Sequence, residues 1–203
     1  MPRPTTPEEV LQAFKDGNQR FVEGNLQRRE FIKEIEETCN EQHPFAIVLS
    51  CIDSRVPVET VFDMRIGELF STRLAGNVVN GDVLGGMEFA TNFSDAMLVL
   101  VMGHTKCGAI KGAIGNVEYG NLTGLVEKIK PAVELAKSEH KDGPEPGSNE
   151  FTDLVGALNV QLAVKQIREQ SPELRKMEEK GDIMICAAMY DISNGKVTFY
   201  DRE

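Results

Sequence analysis

Three short, almost uninterrupted apolar runs limit the possible folds more than any other feature of this chain: Pro44 to Ser50, Ala96 to Met102 and Ile183 to Tyr190. A strand with one wet face alternates apolar and polar residues. These runs stay apolar throughout, as strands do when helices cover both faces of a parallel sheet. Glu68 to Arg73 is a further candidate strand. Helix-like segments lie between and after them: Asp82 to Thr91, Leu122 to Lys137 with a break expected at Pro131, and Phe151 to Gln170. Ser171-Pro172-Glu173 starts another helix, and Ser138 to Asn149 is a loop rich in proline and glycine. Ser193-Asn194-Gly195 reads as a hairpin turn, so Lys196 to Tyr200 should run antiparallel along an edge. The expected fold is α/β: a mostly parallel sheet flanked by helices, with an antiparallel C-terminal edge strand and an N-terminal helical arm.

The arm occupies residues 1–43 and the core residues 44–203 of a single domain. Thr6 reads as an N-cap, with Pro7 at the first helical position and Glu9 closing a capping box. Val10, Leu11, Phe14 and Phe21 then share one helical face, and a more polar helix is expected over Arg29 to Thr38. This modest apolar stripe suggests an arm lying on another surface, such as a second subunit.

Charge and length exclude several roles. Acidic residues outnumber basic ones by 32 to 22, a net charge of −10, which a phosphate backbone would repel, so no nucleic-acid partner is expected. The longest apolar run has eight residues, far short of the roughly 20 that a membrane span needs. The first twenty residues lack a basic start followed by an apolar stretch, which points to the cytoplasm. Four cysteines in 203 residues are too sparse for a disulfide scaffold, and none forms a C-x-x-C pair.

Metal ligation remains. Cys51 and His104 each follow a buried strand, and in open α/β sheets the carboxyl ends of strands converge on the ligand crevice. Cys107 stands three residues after His104, at the entry to a helix whose N-terminus favours a thiolate. Gly103 and Gly108 flank this turn and would let backbones approach closely. A lone cysteine after a strand is usually a small buried hydrophobe, but two thiolates and an imidazole together suit Zn²⁺ and leave a fourth position open. Water held there has its pKa lowered to roughly 7, which supplies hydroxide at neutral pH.

Asp53 and Arg55 follow Cys51 at alternate positions, so in an extended stretch all three side chains point one way. Asp53 either binds the metal itself or pairs with Arg55 and accepts a hydrogen bond from the hydroxide. Cys39 and Cys186 read as structural, and His43 and His140 as surface histidines that are conceivable proton shuttles.

Cys51-Ile-Asp53-Ser-Arg55 and His104-Thr-Lys-Cys107-Gly108 resemble the C-x-D-S-R and H-x-x-C-G motifs of the β-class carbonic anhydrases. Gly67-Glu-Leu-Phe70-Ser-Thr-Arg73-Leu-Ala-Gly76-Asn77 and the closing hairpin resemble the same family. The resemblance implies one Zn²⁺ per subunit on Cys51, His104 and Cys107, with Asp53 either ligating it or paired with Arg55. It implies reversible hydration of carbon dioxide to bicarbonate in a homodimer or homotetramer with active sites at the subunit interface. The substrate cleft maps onto Gln42, Phe70, Ala75, Phe89 and Gly108. Phe89 stands where many relatives carry tyrosine. Val48 occupies the place of a tryptophan that serves some members' noncatalytic bicarbonate site. The competing readings are a carbonyl sulfide or carbon disulfide hydrolase on the same fold, and a noncatalytic zinc- or bicarbonate-binding regulator.

Overall fold

Alternation inside the apolar runs builds the two-sided core of the computed structural model, which describes residues 3–140 and 143–200. Five strands form one sheet: β1 (Ala46–Ser50), β2 (Leu69–Arg73), β3 (Leu98–His104), β4 (Met184–Tyr190) and β5 (Val197–Phe199). Their order is β2-β1-β3-β4-β5, parallel except for β4 with β5. Ile47, Leu49, Val99, Val101, Ile185 and Ala187 point to one face, whereas Ala46, Val48, Leu98, Leu100, Met102 and Ala188 point to the other. Every residue of β1, β3 and β4 is buried, which is why these strands read as continuous apolar sequence.

Helices cover both faces. The first face packs against α4 (Gly81–Phe93), α8 (Asn149–Gln170) and α9 (Pro172–Lys180) through residues such as Met87, Val160, Ile167 and Leu174. The second lies under α1 (Pro7–Val22) and α3 (Val58–Val61), with Phe14 stacked near Phe62 at 4.5 Å and edge-on to Phe45 at 6.5 Å. Three further helices, α5 (Gly108–Ile114), α6 (Gly120–Glu127) and α7 (Lys130–Glu139), close a smaller cluster beside the carboxyl ends of the strands. The break between α6 and α7 falls just before Pro131, as its missing N–H dictates. No helix among the described residues is long and apolar enough to cross a membrane.

The arm differs from its expected form. Its first helix does not reach away: Val10 and Phe14 of α1 are fully buried on this chain's own sheet. Thr6 caps α1 by accepting from the Glu9 N–H, but the Glu9 carboxylate accepts from Thr5 N and Oγ1 instead of returning to Thr6. The second helix, α2 (Phe31–Thr38), is turned inside out. Glu34 is its buried residue, accepting from the Ile66 N–H and pairing with Arg65, while Phe31, Ile32 and Ile35 are exposed.

Asp63 ties the arm to the core. Its side chain is buried and receives Arg20 Nε at 2.6 Å, Arg29 Nη2 at 3.0 Å and the Gln27 N–H at 3.2 Å. Burial pushes its carboxyl up, but the hydrogen bonds from Arg20 and Gln27 outweigh this and hold it below the ordinary carboxylate value. A depressed folded-state value adds stability above the unfolded pKa, about 3.9, and that stability is lost as pH falls through the folded value. Asp63→Asn should therefore cost about 3–5 kcal/mol at neutral pH, because two partly buried guanidiniums lose their anion. Urea unfolding should also show the deficit shrinking once the wild-type carboxyl is itself protonated.

Candidate metal centre

Strand order brings the metal-type side chains together. The chain leaves β1 through α3 to β2 on one side, then crosses back through α4 to β3 on the other, so winding reverses between β1 and β3. In open α/β sheets the crevice at such a reversal is the ligand site. Ser50 pairs with Met102 across it, placing Cys51 just past the end of β1 beside His104, the last residue of β3. Cys107 is the N-cap of α5.

The Cys51 and Cys107 sulfurs are 3.9 Å apart, and one ligand atom from each of Cys51, His104 and Cys107 lies within 4.8 Å of the others. All three residues are at most 3% exposed. His104 Nδ1 is 2.9 Å from the Thr105 carbonyl oxygen, which makes Nδ1 the donor and leaves Nε2 as a lone pair. Nε2 is buried and has no hydrogen-bond partner among the described residues. Two sulfurs and an imidazole lone pair converging in a closed site form a donor set that fits Zn²⁺, with room for a fourth ligand.

A shared proton dominates the electrostatics. The hydrogen bond between the two sulfurs is the main reason the Cys51 thiol is pushed down to about 4 against the cost of burial. The same bond, with burial, pushes Cys107 up. The helix start does act on Cys107, since the Ile110 and Ala109 N–H groups pull it down, but the sulfur–sulfur bond outweighs them.

Asp53 and Arg55 also meet at this site, though not by extension. Residues 53–56 form a tight turn in which the Asp53 carboxylate accepts from the Arg55 N–H at 3.0 Å and Val56 N–H bonds back to the Asp53 carbonyl. That turn folds the Arg55 fork onto Asp53, with Nε–Oδ1 at 2.8 Å and Nη2–Oδ2 at 2.7 Å. Asp53 Oδ2 lies 3.8 Å from His104 Nε2. The Arg55 side chain, aided by the turn's N–H and the imidazole, holds the Asp53 carboxyl far below the usual range.

The remaining predicted residues are not all brought to this centre: Gln42 precedes β1, at the end of the strand opposite Cys51. Ala75 begins a single 3₁₀ turn, Ala75–Asn77, whose Gly76 N–H donates to Cys51 Sγ at 3.4 Å. Phe70 on β2 meets Phe89 on α4 edge-on at 6.1 Å, and Phe89 stacks on Phe93 at 6.0 Å; Phe89 and Phe93 are largely exposed. Gln42 is exposed between α2 and β1, beside Thr38 and Gly67. Gly103 does permit a close approach, since a Cβ there would lie 2.7 Å from Met189 and 2.8 Å from Val160. Gly108 begins α5 with open space where its Cβ would be, so packing does not require glycine there. His43 and His140 are both exposed, and Cys39 is exposed at the end of α2 with its thiol on the Glu36 carbonyl.

Sequence reasoning gave no role to the groups that grip the backbone around the centre. Arg73 donates to the Cys51 carbonyl at 3.0 Å and to the Asp53 carbonyl at 2.5 Å, clamping the loop from the neighbouring strand. On α8, Asp153 accepts the Lys106 N–H at 2.6 Å and Asn159 donates to the Gly76 carbonyl at 2.9 Å. Arg73 stood within a quoted motif. Asp153 and Asn159 carry no local signal, being two polar residues among many on the helix.

Comparison with known proteins adds an independent line. A family model described as carbonic anhydrase matches residues 46–197. Carbonic anhydrase 2 of Mycobacterium tuberculosis is 30% identical over 204 residues, spanning 98% of this chain and 95% of the relative. The carbonic anhydrase of Mycolicibacterium smegmatis is 32% identical over 199 residues, spanning 95% and 93%. Among solved structures, the β-carbonic anhydrase CafA of Aspergillus fumigatus aligns with a TM-score of 0.73 at 25% identity over 96% of this chain and 90% of its own. A structure from a study of two tetrameric β-carbonic anhydrases of Sordaria macrospora shares the fold, with a TM-score of 0.75 at 20% identity over 96% of each chain.

Proposed function

The chain belongs to the β-class carbonic anhydrase family and is a carbonate dehydratase, and from that premise we propose that it hydrates carbon dioxide reversibly at one Zn²⁺ per subunit held by Cys51, His104 and Cys107. The observation that carries the proposal is the buried trio itself, above all the His104 Nε2 lone pair with no hydrogen-bond partner among the described residues. An unpaired buried polar atom is costly, and coordination would remove that cost. The chemistry the ion supplies when bound is the acidification of water from a pKa of about 15.7 to about 7.

The protein's residues supply the rest. Thr105 fixes the imidazole tautomer through Nδ1, so Nε2 stays free to coordinate. Asp53, kept ionised by Arg55, can only accept hydrogen bonds. In the proposed role it takes the bond from the attacking hydroxide's proton and so turns the oxygen lone pair toward carbon. Arg55 also holds Asp53 in the turn, which keeps the carboxylate from acting as a fourth ligand. Hydroxide oxygen adds to the carbon of carbon dioxide, one C=O electron pair moves onto oxygen, and bicarbonate results. Phe70, Ala75 and Phe89 offer an apolar wall for an uncharged substrate, with Gly108 at the cleft; Gln42, at the other end of β1 in its own chain, would have to be supplied across the proposed subunit interface to donate to a developing bicarbonate oxygen.

The same proposal includes a homodimer or homotetramer. Phe89 and Phe93 on α4 and Phe31, Ile32 and Ile35 on α2 are large apolar side chains left in solvent, the kind of surface a second subunit covers. An interface over α4 would also bring Phe70 and Phe89 toward a cleft that one chain leaves open. Stopped-flow assays with carbon dioxide and carbonyl sulfide in parallel test the substrate. Hydration of carbon dioxide should dominate. Fast carbonyl sulfide turnover by zinc-loaded protein that does not hydrate carbon dioxide would reassign the activity.

A further inference from the structure

We propose that Asn159, buried on α8 and far in sequence from every metal-type ligand, is a positioning residue that sets the Cys51 sulfur through Gly76. The inference rests on the reading of Cys51, His104 and Cys107 as a metal centre. Asn159 Nδ2 donates to the Gly76 carbonyl at 2.9 Å, and the Gly76 N–H donates to Cys51 Sγ at 3.4 Å. Gly76 has φ +67° within the 3₁₀ turn, a left-handed conformation that other residues resist. A Cβ there would also lie 2.6 Å from Ile129 and 3.3 Å from Ala109. The Gly76 carbonyl belongs to the peptide that follows the one carrying its N–H, and the two planes join at the Gly76 Cα. Asn159, together with the Asn77 N–H on the Leu74 carbonyl, fixes the second plane and so restricts how the first can turn about that Cα.

The chemical consequence lies on sulfur. An N–H···S hydrogen bond orients a thiolate for coordination, so its loss lets the sulfur leave that direction and loosens its hold on an ion. The same helix grips the other metal-bearing segment. Asp153, six residues before Asn159, accepts the N–H of Lys106, which has φ +55° and immediately precedes Cys107. The two anchors stand about 9 Å apart along the helix axis, so α8 acts as a rigid spacer between the Cys51 and Cys107 segments.

Asn159→Asp keeps the shape but replaces the donor with an acceptor facing the Gly76 carbonyl; Asn159→Ala removes the donor; Asn159→Gln keeps an amide. Thr152→Val, buried on the same helix with its hydroxyl donating to the Ser148 carbonyl, controls for general loss of stability. Each protein is loaded with Co²⁺ to read the sulfur-to-metal charge-transfer bands, and with Zn²⁺ to read the rate of release to a chelator. The proposal expects shifted cobalt bands and release faster by about 10–100-fold in the Asp and Ala variants. It expects partial return toward wild type in the Gln variant and no change in Thr152→Val. A folded Asp or Ala variant with wild-type bands and release would overturn it. If neither folds, wild-type protein loaded with ¹¹³Cd decides. Scalar coupling from cadmium through sulfur to the Gly76 amide proton supports the link, and its absence overturns it. Wild-type protein that takes up none of these ions would instead refute the metal reading on which the inference stands.

Discussion

Cys107→Ala should leave the protein folded but without stoichiometric zinc and without measurable hydration. The deleted sulfur is one of two thiols in a three-ligand set, and no other cysteine or histidine among the described residues joins that set. Asp53 is the nearest further donor, but Arg55 binds it through two short contacts. Cys107 also caps α5, yet its side chain makes no cap hydrogen bond, so the helix should survive the change. Elemental analysis after dialysis should show zinc falling from about one ion per chain toward zero. Full retention would remove Cys107 from the ligand set.

Asp53→Asn should lower kcat about 100-fold or more while zinc stays bound. A positioned group that accepts a proton or hydrogen bond in the transition state contributes typically 10²–10⁴-fold. Asn still fits the turn and can still accept from the Arg55 backbone, but its amide can donate and no longer draws the guanidinium as an anion does. The expected pattern is a lower kcat with an intact metal content and an unchanged unfolding midpoint to within about 1 kcal/mol, since the Asp53–Arg55 pair is largely solvent-facing at Arg55. A variant with wild-type kcat would reduce Asp53 and Arg55 to a surface ion pair after a strand.

These two substitutions probe features of unequal visibility. The apolar runs disclosed the sheet because burial on both faces removes alternation, and the hairpin turn disclosed the antiparallel edge. Boundaries were less legible: β3 begins at Leu98 and runs through His104, two residues later at both ends than the apolar composition suggests, because Ala96 is still bonded to Ala90 at the end of α4. The Cys51–Asp53–Arg55 spacing suggested side chains pointing one way from an extended stretch, whereas Asp53 and Arg55 meet through a turn. On α2 the apolar residues were legible and their direction was not, since Glu34 turns inward to reach Arg65 and the Ile66 N–H. Contacts such as Asn159 to Gly76 span 83 positions and join a helix side chain to a backbone carbonyl, so no local pattern encodes them.

Stopped-flow hydration of carbon dioxide, measured before chelation, after it and after return of Zn²⁺, tests the central claim most directly. Activity should vanish as zinc leaves Cys51, His104 and Cys107 and return in proportion to the zinc restored. Undiminished hydration by fully zinc-free protein would contradict it.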